Sequence, residues 1–449
     1  MINDTIVALT TAPMEAALGL IRISGPKTFD IASSIFSNYH SLGENRRDVI
    51  FGHIVDKTNN QVIDEVVVTL FKKPHSFTGE DTMEITCHGG LIVINNIIQL
   101  CIKYGARMAN RGEFSQKAFY NGKIDLIQAE SINDLITAKT DEAAGLALTG
   151  LSGNVSKMIE NIKLKMIEIM AHIEVNIDYP EYDDISVLDN TIIGPMVNDL
   201  IVDCENILKE AHIGKVIKNG VKVAIIGRPN VGKSSLLNAL IKEDKAIVTS
   251  VAGTTRDIVE GTSKINGINF IFLDTAGIHN SSDIVESIGI KKSRQAILDA
   301  DLVLVVIDGS TKMTSEDQEL IDSVVNKPHI IVINKDDLEA AEVIKIKGVR
   351  TCAKNGEVAQ LEEEMSRIVG IDIKQYKNQA LLSNSRQIGL LMKSLESLKI
   401  VAQSCIDSLP TDLIAIDLKQ SLDNIMEIRG EKSMKDFDDE IFSKFCVGK

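Results

Sequence analysis

Val221-Lys-Val-Ala-Ile-Ile-Gly-Arg-Pro-Asn-Val-Gly-Lys-Ser234 is the stretch of this 449-residue chain that decides a fold. Its first six residues are nearly all apolar, as in a buried strand. Its last eight match G-x-x-x-x-G-K-[ST] and precede the helix-like run SSLLNALI. In such a loop, backbone N–H groups wrap phosphates at a helix N-terminus, a lysine adds a cation and a hydroxyl reaches Mg²⁺. The predicted nucleotide contacts here are Asn230, Val231, Gly232, Lys233, Ser234 and Ser235.

Strands and helices continue to alternate from this stretch to about residue 375. Near-continuous apolar runs occupy residues 270–274 (FIFLD), 302–308 (LVLVVID) and 329–334 (HIIVIN), and helix-like segments separate them. Apolar strands joined by helices are typical of a parallel sheet that is covered on both faces. We therefore predict an α/β domain with a parallel sheet over residues 215–376.

Three later segments have the chemistry of a guanine nucleotide site. The Asp274 carboxylate can reach the Mg²⁺ shell, and the Gly277 N–H can sense the γ-phosphate. The Asp337 carboxylate can accept from the N1–H and 2-amino groups of guanine, which adenine lacks. The predicted contacts in these segments are Asp274, Thr275, Ala276, Gly277, Asn334, Lys335, Asp337, Cys352, Ala353 and Lys354. The order and spacing resemble the Ras-like GTPase superfamily of P-loop proteins. Cys352 replaces the usual serine, so we expect base contact from the Ala353 backbone and Lys354.

The catalytic groups of many GTPases are missing. Thr255, in a G-T-T-R-D segment that resembles switch I, is predicted to join Ser234 in holding Mg²⁺. The residue after Gly277, where many GTPases carry a glutamine that orients the attacking water, is Ile278. No arginine finger is evident, since we assign Arg228 and Arg256 to structural or phosphate-facing roles. Another group must therefore hold the water.

The flanking parts of the chain predict two further domains. Residues 1–118 mix strand-like and helix-like runs, which indicates an α+β domain. Residues 119–214 and 377–449 are helical in pattern, and one stripe has apolar residues at offsets 0, 3, 4, 7, 11, 14, 15 and 18 from Val155. Because the last segment is short for a core of its own, we predict that it packs with residues 119–214. The α/β domain is then inserted into a discontinuous helical domain.

The composition excludes several classes of protein. Acidic residues number 63 and basic residues 48, so the net charge of −15 argues against a chain whose whole surface grips nucleic acid. The six cysteines are scattered without ligand-like spacing, which predicts neither a disulfide framework nor a zinc cluster. No signal peptide and no apolar run of membrane-spanning length are evident. We expect a soluble, cytoplasmic protein without a membrane partner.

Stretches outside the nucleotide motifs narrow the comparison. They are Leu20–Gly25 (LIRISG), Ser76–Asp81 (SFTGED), Cys87–Gly90 (CHGG), Arg111–Phe114 (RGEF) and the terminal Cys446–Lys449 (CVGK). Together with GRPNVGKSS and GTTRD, they resemble, in order and over the entire chain, the MnmE (TrmE) family of tRNA modification GTPases. The two ends discriminate best, because many GTPases share the central motifs.

The resemblance implies a mechanism without an arginine finger. The GTPase domains of two subunits pair across their nucleotide faces, and K⁺ between the β- and γ-phosphates offsets the charge that develops during transfer. Glu286 is the matched catalytic residue, which orients the water indirectly. The matched K⁺ ligands are Asn230, Thr249, Val251 and Thr254. Ser250, Ala252 and Gly253 complete the nucleotide-binding loop.

The resemblance also implies a second ligand and a partner. The N-terminal domain dimerises and binds a tetrahydrofolate derivative, 5-formyl or 5,10-methylene, as one-carbon donor. Arg22 matches a contact to the folate glutamyl carboxylate, Glu84 a contact to the pterin donors, and Lys123 and Lys449 complete the set. With the FAD-containing flavoprotein MnmG (GidA) in a heterotetramer, such a K⁺-stimulated GTPase installs a (carboxymethyl)aminomethyl group at C5 of the wobble uridine in certain tRNAs.

Two alternatives stay open. A GTP-dependent switch for ribosome or RNA assembly, without modification chemistry, would have much the same GTPase domain. Such a switch should carry a basic patch or a G-x-x-G loop between helices, and neither is evident. The other alternative is a degenerate family member without folate binding. Residues 12–19 keep only Gly19 where the family is glycine-rich, and a loop that needs positive φ there would be strained.

Overall fold

The computed structural model describes residues 4–39, 49–178, 190–241, 259–273, 295–339, 346–371, 373–376, 379–432, 441–443, 445–446 and 448. The chain forms two compact units. The first comprises Met1–Asn133, Gly150–Val202 and Leu390–Lys449, and the second comprises Asp134–Thr149 and Asp203–Gly389. The predicted domain boundaries at residues 118, 214 and 376 stay predictions. No helix among the described residues is long and apolar enough to cross a membrane.

Strands and helices follow one another along the chain without a regular alternation. The strands are β1 Ile6–Leu9, β2 Leu18–Ser24, β3 Val49–Asp56, β4 Gln61–Phe71, β5 Thr82–His88, β6 Arg107–Met108, β7 Val221–Ile226, β8 Val259–Ile265, β9 Ile268–Leu273, β10 Leu302–Asp308, β11 His329–Asn334 and β12 Val349–Thr351. The helices are α1 Thr28–Ile35, α2 Leu91–Lys103, α3 Glu113–Tyr120, α4 Leu126–Thr137, α5 Asp141–Leu151, α6 Asn154–Asp178, α7 Asn190–Asn219, α8 Lys233–Ile241, α9 Ser315–Ser323, α10 Ala359–Val369, α11 Ser385–Ile406 and α12 Thr411–Arg429. Short 3₁₀ turns occupy Ala353–Asn355 and Ile373–Tyr376.

The first unit contains a six-stranded sheet in the order β3-β4-β5-β2-β1-β6. Its pairs are antiparallel except β1 with β6. Strand β5 shows why the sheet has two different faces, because alternate side chains point to opposite sides. Met83, Ile85 and Cys87 are buried in one apolar core with residues of α1 and α2. Glu84, between two of them, points to the opposite face and lies across from Arg22 of β2.

The helices of the first unit confirm the predicted apolar stripe. Helix α6 begins at Asn154, and seven of its eight stripe residues are buried. It pairs with α12, where the Ser421 hydroxyl lies against Met166. Helix α11 buries Leu391, Leu395 and Leu398. The C-terminal tail packs back on the unit, since Phe442 and Phe445 share a small core with Leu126 of α4 and neighbouring residues.

The second unit contains the α/β sheet, in the order β12-β11-β10-β7-β9-β8. The pairs from β12 to β9 are parallel, which confirms the prediction for these strands, whereas the edge strand β8 is antiparallel to β9. Both faces are covered by apolar cores, so every residue of β10 is buried. Because the strands are parallel, the carboxyl ends of β7, β10 and β11 meet at one edge. The loops that follow them therefore lie side by side.

Candidate functional site

The predicted phosphate-binding loop joins β7 to α8 at this carboxyl edge. Its backbone has positive φ at Gly227 (155°), Asn230 (64°) and Gly232 (97°). A Cβ on Gly227 would lie 2.4 Å from the carbonyl oxygen of Val306, and one on Gly232 would lie 2.2 Å from Nδ2 of Asn334. Neither glycine can therefore gain a side chain unless the loop moves.

The start of α8 presents the groups that a phosphate needs. The first-turn N–H groups of a helix have no partner within the helix and favour anions. Ser234 and Ser235 are exposed in this turn, so their hydroxyls are accessible. The Lys233 ammonium donates to the carbonyl oxygens of Gly227 (2.7 Å) and Arg228 (2.8 Å), and burial lowers its pKa. The lysine is thus held against the loop that the sequence assigns to phosphate.

One side-chain amide joins the predicted phosphate loop to the predicted base segments. Asn334, at the end of β11, is 2% exposed. Its Nδ2 donates to the carbonyl oxygen of Val231 in the phosphate loop at 2.9 Å. Its Oδ1 accepts from the Thr351 hydroxyl at 3.2 Å and from the Ala353 N–H at 3.1 Å. The structure therefore brings Asn334 and Ala353 together with the phosphate loop. The Ala353 N–H, which we expected to face the base, donates to Asn334.

Cys352 lies beside the predicted guanine-binding carboxylate. Its side chain is buried, and its backbone forms a bridge with Glu357, with N–H to carbonyl distances of 3.3 and 3.1 Å. Burial raises the pKa of the thiol, and so does a hydrogen bond to the Asp337 carboxylate. The raised pKa favours the neutral thiol beside the Asp337 carboxylate. The cysteine thus occupies the role that a serine hydroxyl could fill, with a weaker donor.

Two aspartates that the sequence analysis missed hold parts of this site. Asp308, the last residue of β10, accepts from the Lys335 ammonium at 2.6 Å. Burial acts to raise the pKa of the Asp308 carboxyl, but hydrogen bonds from Lys335 and Ser310 hold it below its usual value. Asp317, in the first turn of α9, accepts from Nε of Arg228 at 2.7 Å. Of the two roles that we considered for Arg228, the structure shows the structural one.

The sequence contains a weak signal for each of these aspartates. Asp308 is the charged residue that ends an otherwise apolar strand. Thr314 and Asp317 form a T-x-x-D pair, which here makes a reciprocal capping box at the start of α9. Neither signal names a partner in the nucleotide loops.

A large part of the predicted site lies outside the described residues. This part comprises Thr249, Ser250, Val251, Ala252, Gly253, Thr254, Thr255, Asp274, Thr275, Ala276, Gly277 and Glu286. Of the predicted Mg²⁺ ligands the structure describes Ser234, and of the predicted K⁺ ligands it describes Asn230. Lys354 is described and lies exposed in the turn that follows Cys352.

Two of the predicted folate residues, Arg22 and Glu84, lie in the first unit on the sheet face opposite α1 and α2. Arg22 and Glu84 are opposite each other on β2 and β5 and form an ion pair, with both Nε and Nη2 of Arg22 at 2.8 Å from Oε1 of Glu84. The guanidinium also lies 5.6 Å from the ring centre of Phe77 and 5.7 Å from that of Phe114. The structure thus brings the cation and the carboxylate together, each satisfying the other. Lys123 is exposed, and its ammonium donates to the carbonyl oxygen of Pro74 at 3.0 Å.

The C-terminal tail reaches this pair. Nη1 of Arg22 lies 3.5 Å from the carbonyl oxygen of Gly448, and the Gly112 N–H donates to the carbonyl oxygen of Cys446 at 3.2 Å. Gly448 has φ of 94°, and a Cβ there would lie 2.6 Å from the carbonyl oxygen of Leu9. Lys449 lies outside the described residues. The loop of residues 12–19, which would be strained if it needed positive φ, has no residue with positive φ.

Comparisons with known proteins match both units. The family model described as GTP-binding protein TrmE N-terminus matches residues 5–123, and the MnmE helical domain model matches residues 126–446. The tRNA modification GTPase MnmE of Lactobacillus gasseri is 42% identical over 454 residues, 99% of this chain and 98% of that protein. The protein of the same name from Lactiplantibacillus plantarum is 41% identical, with the same coverage. The chain belongs to the MnmE family of tRNA modification GTPases.

Membership of the MnmE family establishes the coarse function. The chain binds GTP and is a GTP hydrolase that acts in tRNA modification. Its fold combines an N-terminal α+β domain, a helical domain and a GTPase domain. A solved structure of Era from Aquifex aeolicus is 28% identical over 39% of this chain and 66% of that chain, with a TM-score of 0.26. That TM-score is too low for the likeness to add to the assignment.

The predicted contact between Asp337 and guanine implies that a substitution of Asp337 changes the nucleotide preference. In the Asp337→Asn variant, an amide replaces the carboxylate that we predict to accept from the guanine N1–H and 2-amino groups. We expect affinity for GTP to fall by about 100-fold or more, because a buried donor is left without its acceptor. Affinity for XTP should rise, since the amide can donate to the 2-oxo group of xanthine. Equilibrium titration of both nucleotides measures the exchange.

The neighbouring Asp336→Asn variant is the control, since Asp336 is exposed and pairs with Arg350 on the surface. It should bind GTP as the wild type does. An Asp337→Asn variant that keeps its preference for GTP over XTP would remove Asp337 from the base site.

Proposed function

We propose that this MnmE-family GTPase hydrolyses GTP with Mg²⁺ and K⁺ at the phosphate loop and modifies C5 of the wobble uridine in certain tRNAs. It installs a (carboxymethyl)aminomethyl group together with the FAD-containing flavoprotein MnmG (GidA), in a heterotetramer. A tetrahydrofolate derivative, 5-formyl or 5,10-methylene, supplies the one-carbon unit. The observation that carries the proposal is the Arg22–Glu84 ion pair beside the C-terminal tail, in a chain that matches the family from end to end.

The described half of the nucleotide site suits metal-assisted phosphoryl transfer. The Ser234 hydroxyl is exposed at the start of α8, where it can join a Mg²⁺ shell that Thr255 completes. Asn230 stands at the tip of the phosphate loop with a backbone that few residues other than glycine and asparagine accept readily. Mg²⁺ and K⁺ supply positive charge where negative charge develops. Glu286 orients the attacking water, a role that Ile278 cannot fill.

The Arg22–Glu84 pair suits a zwitterion-like ligand. Glu84 can release Arg22 and accept from the donor edge of the pterin ring. Because the two side chains touch, Arg22 then lies at the pterin end of folate and not at the distant glutamyl carboxylate that the resemblance implies. The rings of Phe77 and Phe114 keep the guanidinium in place during this exchange. Lys123 and Lys449 add positive charge for a ligand with several carboxylates. The absence of positive φ in residues 12–19 removes the reason for expecting a strained loop.

The open face of the same sheet supports a homodimer. Leu18, Phe51 and Val67 lie on that face, with Val49 on the same side of β3, and they are 59%, 60%, 36% and 67% exposed in that order. Exposed large apolar side chains on one sheet face commonly mark a protein interface. We assign it to the dimer of N-terminal domains.

The net charge of −15 is unfavourable for binding of tRNA phosphates by this chain alone. The flavoprotein partner therefore supplies most of the basic surface. The tRNA is modified in the cytoplasm.

The K⁺ assignment predicts a salt-specific rate. Steady-state GTP hydrolysis should be about 10- to 100-fold faster in KCl than in NaCl at equal ionic strength, because the proposal places K⁺, and not Na⁺, where other GTPases have an arginine finger. Asn230→Gly should abolish this difference, since glycine accepts the backbone angle and removes the side chain. Asn266→Gly is the matched control, because Asn266 also has positive φ (49°) and lies in the β8–β9 turn. Equal rates in the two salts would contradict the K⁺ site and favour a GTPase that waits for a separate activating protein.

The folate assignment predicts a loss of binding at Arg22. The wild-type protein should bind 5-formyltetrahydrofolate in a calorimetric titration. Arg22→Ala should weaken binding by about tenfold or more, since a charge-assisted contact is lost and Glu84 is left unpaired. Arg367→Ala, the same change at a surface ion pair, should bind as the wild type does. If the wild-type protein binds no folate while it hydrolyses GTP, the chain is the degenerate family member and the one-carbon proposal fails.

A further inference from the structure

The segment from Asp308 to Asp317 runs between the two halves of the nucleotide site. It begins at the end of β10, crosses the carboxyl edge of the sheet and ends in the first turn of α9. The sequence motifs of the family do not include it. Each of its two ends contacts a different nucleotide loop through an aspartate.

At the first end, the two carboxylate oxygens of Asp308 have different partners. Oδ1 accepts from the N–H of Ser310 at 2.9 Å and from its hydroxyl at 2.6 Å, so it is bonded within the segment. Oδ2 accepts from the Lys335 ammonium at 2.6 Å, so it reaches the base segment. The Gly309 N–H adds a bond to the carbonyl oxygen of Asn334 at 2.7 Å. Lys335 has φ of 66°, a backbone conformation that costs energy for a lysine and needs such support.

At the second end, Asp317 divides its oxygens in the same way. Oδ2 accepts from the N–H and the hydroxyl of Thr314, both at 2.9 Å, within the segment. Oδ1 accepts from Nε of Arg228 at 2.7 Å, in the phosphate loop. The Asp317 side chain is 1% exposed, so its charge depends on these partners. The Arg228 carbonyl oxygen in turn accepts from Lys233.

We propose that residues 308–317 are a strut that fixes the spacing between the base segment and the phosphate loop, with Asp308 and Asp317 as its positioning residues. GTP bridges the two loops, because its base and its phosphates bind at opposite ends. A strut that fixes the spacing before binding reduces the entropy that binding must remove. The inference rests on the proposed GTP contacts at Lys233 and Asp337, and it adds two residues that touch no nucleotide themselves.

Because both aspartates are negatively charged, a strut and a purely electrostatic effect predict opposite changes in nucleotide affinity when either is neutralised. An acid near a triphosphate repels it, so neutralising Asp308 or Asp317 would strengthen nucleotide binding if charge alone mattered. The strut predicts the opposite sign. Asparagine keeps one oxygen as an acceptor, but its N–H group then faces the donor of Lys335 or Arg228. The contact is lost, and the loop that carries Lys335 or Arg228 is no longer held by the strut.

The experiment measures affinities of the full-length protein for GTP and ITP by equilibrium titration. Asp308→Asn should weaken GTP binding about tenfold and narrow the preference for GTP over ITP, because the Asp337 loop reads the 2-amino group that ITP lacks. Asp317→Asn should weaken both nucleotides about tenfold and leave the preference unchanged, because it frees the phosphate loop. Asp322→Asn, the same change at an exposed position of α9, is the control and should stay within about twofold of the wild type.

The double variant separates a strut from two local contacts. If the segment holds one spacing, an anchor is useless once the other is lost, so Asp308→Asn with Asp317→Asn should lose clearly less than the product of the single losses. Losses that multiply, or single variants that bind as well as the wild type, would overturn the proposal. If Asp317→Asn does not fold, because the cap of α9 is lost, Arg228→Gln breaks the same contact from the other side. An Asp337→Asn protein that still prefers GTP over XTP would instead show that the GTP contacts are misassigned.

Discussion

The buried side-chain amide of Asn334 is the contact on which the described nucleotide site depends. It donates to the phosphate loop at Val231 and accepts from Thr351 and Ala353 in the loop that closes over the base. A buried polar group that loses a partner costs about 1–3 kcal/mol, so the loops can move apart only by breaking these bonds. Gly232 lies so close to the amide that only a glycine fits there. The amide therefore joins the two loops directly and limits the residue type that can stand at position 232.

The apolar cores around the two sites do not fix the orientation of individual side chains. Directional polar contacts fix the orientation of the residues in each site. The chain has no Trp and only 4% aromatic residues, so its sheets are covered mainly by aliphatic side chains. Burial of such side chains stabilises the fold in proportion to area and says little about orientation. At the carboxyl edge of the parallel sheet, Asn334, Asp308 and Asp317 supply that orientation. On the sheet of the first unit, the Arg22–Glu84 pair does so.

The features that the sequence predicts well are local in the chain. The strand, the phosphate loop and α8 follow from one continuous stretch, residues 221–241, and α6 follows from the apolar stripe that begins at Val155. Contacts between distant residues are harder, since Arg22 and Glu84 are 62 positions apart and meet through the register of two strands. The antiparallel pairing of β8 and the partners of Asp317 likewise depend on tertiary packing. Cys352 stands out in the sequence as an unusual residue, but its position beside the Asp337 carboxylate depends on the fold.

The most direct test of the role of Asn334 is the affinity of the Asn334→Asp variant for GTP. This change keeps the shape of the side chain but turns the donor that faces Val231 into an acceptor, so the two oxygens repel each other. Asn355→Asp adds the same charge at an exposed position of the neighbouring turn and corrects for repulsion of the phosphates. We expect Asn334→Asp to bind GTP about 100-fold more weakly than the wild type and Asn355→Asp to stay within about threefold. Wild-type affinity in Asn334→Asp would contradict the account.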